Sequence, residues 1–493
     1  MSEIVLTTIN TRYAHASLGL RCLHANLGGL ASRARIVEFV CGVRTETMLE
    51  RLLAEQPRVI AIGVYIWNVD EATRLVAQLR RVAPGVKIVV GGPEVSHEVA
   101  EQRICALADH VVTGAGETAF ARLAAQLLEG PRPLTKVIAG EDSEPAALEL
   151  PYPLYTDHDI AHRHLFVEAS RGCPFRCEFC LSALDRTARP FALERVLGAL
   201  AQLHARGARR FRFVDRTFNL KTGTSLAILA FFRERLIATP DDPVFAHFEL
   251  IPDHLPDALR ATIASFPAGS LQFEIGIQTW NPDVQKLISR RQDNAAAERN
   301  IAWLRRNTGA HLHVDLIAGL PGEDLASFGA GFDRLVALDP QEIQLGILKR
   351  LRGAPIARHT ESHGLVFNPD PPYNVLATDA IAFADMQRIA RFARYWDIFA
   401  NSGRFPHARA LLLGHEPFAR FMRFSDWLWA HTDATHAFSL ERQEALLRRW
   451  LEEEAGIDGD ALGRPQPAQN TSRASSASAA ASATPPRQAR HLA

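Results

Sequence analysis

Residues 168–184, EASRGCPFRCEFCLSAL, place Cys173, Cys177 and Cys180 within eight positions, half of the chain's six cysteines, with no fourth cysteine beside them. Three readings compete. Structural zinc wants four closed ligands, usually as two CxxC-like pairs, and the nearby His158, His162 and His164 sit across an apolar strand. A disulfide would leave one thiol over, and a redox CxxC pair would have no use for Cys173. An iron-sulfur cubane has four irons, normally each held by a cysteine thiolate, so three cysteines leave one iron open to a substrate. Pro174 after the first thiol suits a loop wrapped around a cluster. Phe175 and Phe179 would shield it from solvent, which helps set its potential. The dispersed Cys22, Cys41 and Cys105 read as buried hydrophobes.

Two alternating series of elements must position this loop. From residue 3 to about 140, the apolar runs EIVLTTI, ARIVEFV, RVIAIGVYI, VKIVVGG and DHVVTG alternate with helix-period stretches such as DEATRLVAQLRRV. That pattern predicts a doubly wound parallel sheet, an α/β Rossmann-like domain over 1–140, whose ligands bind at the carboxyl ends of the strands. Those ends carry NTRYAH at 10–15, YIWN at 65–68, GGPEVS at 91–96 and GAGE at 114–117. Gly91, Gly92, Gly114 and Gly116 would let a ligand approach the backbone, though glycine after a strand is also ordinary turn chemistry. Residues 141–163 are proline-spiked and acidic and read as a linker.

From 164 to 353 a second series follows: LFVEAS, RFRFVDR, FAHFELI, LQFEIGIQT, HLHVDLIAG and EIQLGILK. Successive βα units of this kind predict a partial (β/α)6 barrel with its site on the loops at the carboxyl ends of the strands, the first of which holds the three cysteines. Residues 354–464 turn helical and aromatic-rich and read as a helical C-terminal domain. The low-complexity segment 465–493 is expected to be disordered.

Composition bounds the function. With 493 residues and 47% apolar content the chain can bury several cores. Lysine plus arginine and aspartate plus glutamate each number 55, so no global positive field proposes nucleic acid or an anionic bilayer. No secretory leader or membrane-length apolar run is read, and the expectation is a cytoplasmic protein.

The spacing Cys173-x3-Cys177-x2-Cys180, with Phe179 just before the last cysteine, resembles the radical S-adenosylmethionine superfamily. The resemblance implies a 4Fe-4S cluster whose open iron chelates the amino and carboxylate groups of S-adenosylmethionine. An electron from the reduced cluster would then split the sulfonium to a 5'-deoxyadenosyl radical. FELIP at 248–252, GIQTWNPDVQKLISR at 276–290 and HVDLIAGLPG at 313–322 are similar to segments of the oxygen-independent coproporphyrinogen oxidase branch. That similarity implies Glu249, Gln278, Arg290 and Asp315 around S-adenosylmethionine, with Asp215 to Phe218 where the second-strand loop meets it. The family's GGE-type loop is replaced there by DRTF. Chemically, carboxylates and an amide satisfy an ammonium and ribose hydroxyls, and Arg290 pairs a carboxylate. The plainer reading has Glu249 and Asp315 capping helices and Arg290 closing a C-terminus.

A doubly wound domain, a linker and then a cysteine loop is the order of the cobalamin-binding radical S-adenosylmethionine proteins. One subgroup of these has an uncharacterised helical C-terminal domain. The resemblance implies cobalamin at Gly91, Gly92, Gly114 and Gly116. The DxHxxG signature of a histidine-ligated cobalt is not matched: YAHASLG at 13–19 lacks the aspartate and is one residue too long. His15 is accordingly read as a loop or packing residue, with the lower face of cobalt left empty or to water. The implied activity is C-methylation of an unactivated carbon on a small, natural-product-like substrate, using two molecules of S-adenosylmethionine and a low-potential donor such as a flavodoxin or ferredoxin. The alternatives are a cobalamin-assisted rearrangement or cyclisation without methyl transfer, and a non-catalytic cobalamin sensor or carrier.

Overall fold

The structure is a computed structural model and describes residues 2–131, 133–454, 456–458 and 462–463. Strands β1 (Ile4–Asn10), β2 (Ala34–Val40), β3 (Val59–Gly63), β4 (Lys87–Gly91), β5 (His110–Thr113) and β6 (Val137–Ala139) form a parallel sheet in the order β2-β1-β3-β4-β5-β6. Every residue of β1 is buried, as apolar strands between two helical layers must be. Helices α1 (Leu18–Ala25), α2 (Thr45–Leu53), α3 (Val69–Val82), α4 (Arg103–Leu107) and α5 (Glu117–Glu129) divide between the two faces. Leu52, Leu75 and Ile104 of α2, α3 and α4 share one core, while Leu20 and Phe120 of α1 and α5 share the other. The strand order reverses between β1 and β3, so the loops that leave them diverge and open a crevice at the carboxyl edge. The short β6 carries too little pattern to be read from sequence. The doubly wound expectation is otherwise met.

The segment expected as a linker is a packed connector. Tyr152 and Tyr155 are fully buried and reach back with their hydroxyls to the carbonyls of Glu168 and Phe166, at 2.9 and 2.7 Å. Helix α6 (Asp157–His162) starts in a capping box between Thr156 and Asp159. Asp159 also pairs with the buried Arg21 of α1 at 2.9 Å, and Arg21 with Glu38 of β2 at 3.1 Å. Prolines and acids gave this stretch the look of a loop, yet its two tyrosines bury it.

Strand β7 (Leu165–Val167) begins the second sheet. A two-stranded ribbon of β8 (Ser170–Arg171) and β9 (Arg189–Pro190) brackets the cysteine loop. β10 (Arg210–Phe213), β11 (Phe245–Leu250), β12 (Leu271–Gln278), β13 (His311–Ala318) and β14 (Glu342–Ile347) complete a six-stranded parallel arc, β14-β13-β12-β11-β10-β7, as expected for a partial barrel. Helices α7 (Leu193–Ala205), α8 (Thr222–Ala238), α9 (Asp257–Ala264), α10 (Pro282–Leu287), α11 (Asn294–Asn307) and α12 (Leu325–Leu338) follow the successive strands. Strand residues alternate. Phe211, Phe248, Phe273 and Val314 enter the apolar core, while Arg212, Glu249, Glu274 and Asp315 turn to cavities inside the arc.

The C-terminal region adds a hairpin, β15 (Val366–Phe367) with β16 (Val375–Ala377), before helices α13 (Phe383–Phe399), α14 (Pro406–Leu413), α15 (Pro417–Thr432) and α16 (Leu440–Glu453). Strands of two and three residues leave no periodic signal, so the hairpin was not expected from sequence. Phe332 of α12 meets Trp396 of α13 edge-to-face with ring centroids 4.8 Å apart, joining the helices to the barrel's core. The tail 465–493, expected to be disordered, lies outside the described residues. No helix among the described residues is long and apolar enough to cross a membrane.

Candidate functional site

The cysteine loop is fixed at both ends and in its middle. Gly172 before it has φ +85°, and a Cβ there would run into the Thr187 carbonyl, so glycine is needed at this turn. Cys173 N–H donates to the Asp185 carbonyl at 2.9 Å, and Cys180 N–H to that of Cys177 at 3.1 Å. Between them Glu178 turns away and is buried. Its carboxylate takes Ser289 Oγ, the Arg358 guanidinium and His359 Nε2, while its backbone pairs with Ile288 and Ile356. The loop is thus held by two distant segments, after α10 and after β14.

Cys173, Cys177 and Cys180 are free thiols that line one cavity of about 230 Å³ with Phe175 and Phe179. Burial pushes the Cys173 and Cys177 thiols up, and Arg290, whose Nη1 is 3.5 Å from Cys177 Sγ, opposes this at Cys177. Among the described residues no three His, Cys, Asp or Glu side chains converge on a single ion. The three thiols share the lining of that one cavity. Three thiols beside Phe175, Phe179 and a guanidinium fit a polynuclear iron-sulfur cluster with one iron not held by cysteine.

The same cavity is lined by Arg290, by Glu249 of β11, Gln278 of β12 and Asp315 of β13, all of them expected from sequence, together with Arg216 and Glu274. Burial pushes the Glu249 carboxyl up to about 7, against the pull of Arg216 at 2.7 Å. Burial likewise raises Asp315 to about 6, opposed by His313, whose Nε2 lies 3.0 Å away. His313 is itself raised well above its usual value: Asp315 and Glu342 outweigh the effect of burial. Gln278 holds φ +69° where β12 slips register against β13, a strained backbone that aims its amide into the cavity. Such a concentration of shifted carboxylates in a cleft marks a site for a charged ligand.

Asp215 is the exception. It is buried and accepts from Ala169 N–H at 2.9 Å and Ser170 Oγ at 2.6 Å, and it lines a separate small cavity. It fastens β10 to β8. The DRTF loop instead sends Arg216 and Thr217 to the thiol cavity. Arg216 falls within the 215–218 stretch expected to meet the ligand, whereas Glu274, His313 and Glu178 were not singled out from sequence. Glu274 was signalled by alternation, being two and four residues before Gly276 and Gln278 on one strand. Glu178 carries no such signal, because its partners are far away in the chain.

The first domain presents a second cavity, about 320 Å³ and largely apolar, at the carboxyl edge of its sheet. Gly91, Gly92, Gly114 and Gly116 line it. Gly92 has φ +114°, and a Cβ there would lie 2.5 Å from the Val64 carbonyl oxygen. A slot floored by glycines fits a flat apolar group lying close to backbone. Its far wall is Glu168 and Arg171 of the barrel, and Arg171 pairs with Glu117 of α5 at 2.6 Å. Cys22 lines the same slot and is buried, as is Cys105, whereas Cys41 is partly exposed. His15 lies elsewhere, with its ring 5.9 Å from that of His164.

Comparison with known proteins agrees with this division. Residues 4–124 match the B12 binding domain, residues 167–334 the radical SAM superfamily, and residues 361–461 a protein family of unknown function (DUF4080). The chain is 25% identical over 340 residues to the 2-(S-pantetheinyl)-carbapenam-3-carboxylate methyltransferase of Streptantibioticus cattleyicolor, which covers 61% of this chain and 48% of that one. It is 24% identical over 337 residues to the cobalamin-dependent radical SAM methyltransferase TokK of Streptomyces tokunonensis, covering 59% and 47%. The chain thus spans about half the length of these relatives. In fold it is similar to the radical S-adenosylmethionine methyltransferase TsrM of Kitasatospora setae, solved with cobalamin and a 4Fe-4S cluster bound. The TM-score is 0.58 at 18% identity, over 75% of this chain and 76% of that one.

Proposed function

We propose that this chain, which belongs to the cobalamin-binding radical S-adenosylmethionine proteins, is an enzyme that transfers a methyl group to an unactivated carbon of a small molecule. One observation carries the reading. Glu168 and Arg171 wall the glycine-floored slot, and Cys173, two residues on, opens the thiol cavity, so a single segment serves both sites. Chemistry begun at one can be completed at the other.

When bound, the cluster supplies the electron that splits S-adenosylmethionine to methionine and a 5'-deoxyadenosyl radical, and cobalamin supplies a metal that carries a methyl group. The chain's own part is placement. Cys173, Cys177 and Cys180 would hold the cluster, and Arg290 would pair the methionine carboxylate. Glu249, Gln278 and Asp315 would take the ammonium and ribose hydroxyls. Phe175 and Phe179 exclude water. Gly91, Gly92, Gly114 and Gly116 would admit the corrinoid's flat tail to the slot. The low-potential electron is assigned to a flavodoxin or ferredoxin.

The test is anaerobic turnover of the reconstituted chain with methyl-labelled S-adenosylmethionine, in an extract of a strain deleted for the gene. The reading expects 5'-deoxyadenosine, S-adenosylhomocysteine and one metabolite heavier by the labelled methyl. 5'-Deoxyadenosine without S-adenosylhomocysteine would instead identify a radical rearrangement. Neither product would leave a cobalamin carrier.

A further inference from the structure

The interior of the barrel holds a further cavity, about 280 Å³, adjoining the thiol cavity and separate from the glycine slot. Glu274 lines both it and the thiol cavity, so the two adjoin. Barrels of this kind fill their interior with apolar layers. Here the inward positions are polar on every strand that lines it. At the end near the start of β7 the loop after β1 crosses over, with His164 N–H donating to the Ala14 carbonyl at 2.7 Å.

That end is cationic, and its nearest counter-charges, Glu274 and Glu342, lie further along the same cavity. Arg12, His15, His164 and Arg212 face the cavity together. Among the described residues Arg212 makes no hydrogen bond or ion pair, although burial depresses it and Arg210 repels it. Arg12 is likewise unpaired. Burial and the neighbouring Arg212 push His164 down to about 3 and lower His15, so neither imidazole adds charge while the arginine stands beside it. The carboxylates further along are engaged: Glu274 lies 3.4 Å from His247 Nε2, and Glu342 lies 3.4 Å from His313 Nδ1. A guanidinium that lines a cavity with no ion-pair partner among the described residues is free to meet an anion entering there.

We propose that the barrel lumen is a small-molecule site whose Arg212 and Arg12 hold a carboxylate or phosphate group, the anionic end of the substrate that extends past Glu274 to the thiol cavity. The assignment of this ligand as substrate rests on the enzyme reading above. The site itself does not.

Isothermal titration of the anaerobically reconstituted full chain with inorganic phosphate and with succinate, at constant ionic strength set by chloride, tests it. Saturable binding of phosphate assigns a phosphate-bearing ligand, and of succinate a carboxylate. Arg212→Gln is expected to weaken binding about tenfold to a hundredfold, as loss of one charge-assisted contact does. Arg212→Lys should retain part of it. Arg12→Gln, on an exposed loop that tolerates change, should weaken it without affecting the fold. No saturable binding of either anion, or binding unchanged in both Arg212→Gln and Arg12→Gln, overturns the proposal. 5'-Deoxyadenosine formation by the same preparation separates the two readings. Cleavage without anion binding removes the lumen site alone, and anion binding without cleavage removes the enzyme reading and leaves the site standing.

Discussion

The carboxylate of Glu178, one residue beyond Cys177, lies 2.9 Å from Nε2 of His359, 181 positions later in the chain. This buried pair, with Arg358 and Ser289, fixes the middle of the cysteine loop to the region that follows the barrel. Glu178→Gln should cost about 1–3 kcal/mol, the usual range for disturbing a buried hydrogen-bonded charge. Because the loop rather than a ligand is disturbed, iron and sulfide content after reconstitution should fall while the thiols remain. Full cluster content in a destabilised variant would show that the loop holds its shape without this anchor.

Glu249 sets a pH dependence. Its carboxyl sits at about 7 in the folded chain against a usual 4.5, because burial outweighs Arg216. A carboxyl raised in this way lends its full stability below about pH 4.5 and loses it as the pH climbs through 7. The ligand-free wild type should therefore lose stability relative to Glu249→Gln as the pH rises from 5 to about 7.5. Glu249→Gln should remove that share alone, leaving those of Glu323, Asp215 and Asp315, which burial also raises, and the opposite one of His164, which burial lowers. Equal slopes in the two proteins would remove Glu249 from the effect.

The GGPE turn is clamped from the other end of the chain. Glu94 accepts from Tyr373 Oη at 2.7 Å and from Arg352 Nε at 3.0 Å, and Arg352 also meets Glu98 at 2.6 Å. Tyr373→Phe should cost about 1 kcal/mol, one hydrogen bond's worth. Arg352→Ala should cost more, since it leaves the buried Glu94 charge half satisfied. Because the clamp holds the loop bearing Gly91 and Gly92, cobalamin retained after gel filtration should fall in the order wild type, Tyr373→Phe, Arg352→Ala. Equal retention in all three would show that the slot keeps its shape without the clamp.

His15 does not line the glycine slot. His15→Ala should leave cobalamin content and the electron paramagnetic resonance spectrum of its Co(II) form unchanged, without loss of a nitrogen hyperfine splitting. A splitting present in the wild type and absent in the variant would make His15 a cobalt ligand.

What was legible in the sequence was whatever repeats locally. Strand alternation gave both sheets, and the spacing of Cys173, Cys177 and Cys180 marked the loop whose three thiols line one cavity. Glu249, Gln278 and Asp315 were found because they sit on the inward positions of strands that resemble known segments. Glu178 and Arg352 were not, since their partners are 181 and 258 positions away and no local pattern records a distant pair. Asp215 was assigned by its place in a loop, and the fold turned it instead to the backbone of Ala169, leaving Arg216 to face the cavity. The connector 141–163 was hidden by its prolines, which signal a loop whether or not aromatic neighbours bury it.

Electron paramagnetic resonance of the reduced cluster, with and without S-adenosylmethionine, reaches the central claim most directly. Three thiolates and one open iron predict a spectrum whose g values move when S-adenosylmethionine is added, with 5'-deoxyadenosine accumulating in the same tube and none formed by Cys177→Ala. A spectrum that stays the same, from a fully loaded cluster that leaves S-adenosylmethionine intact, would contradict it.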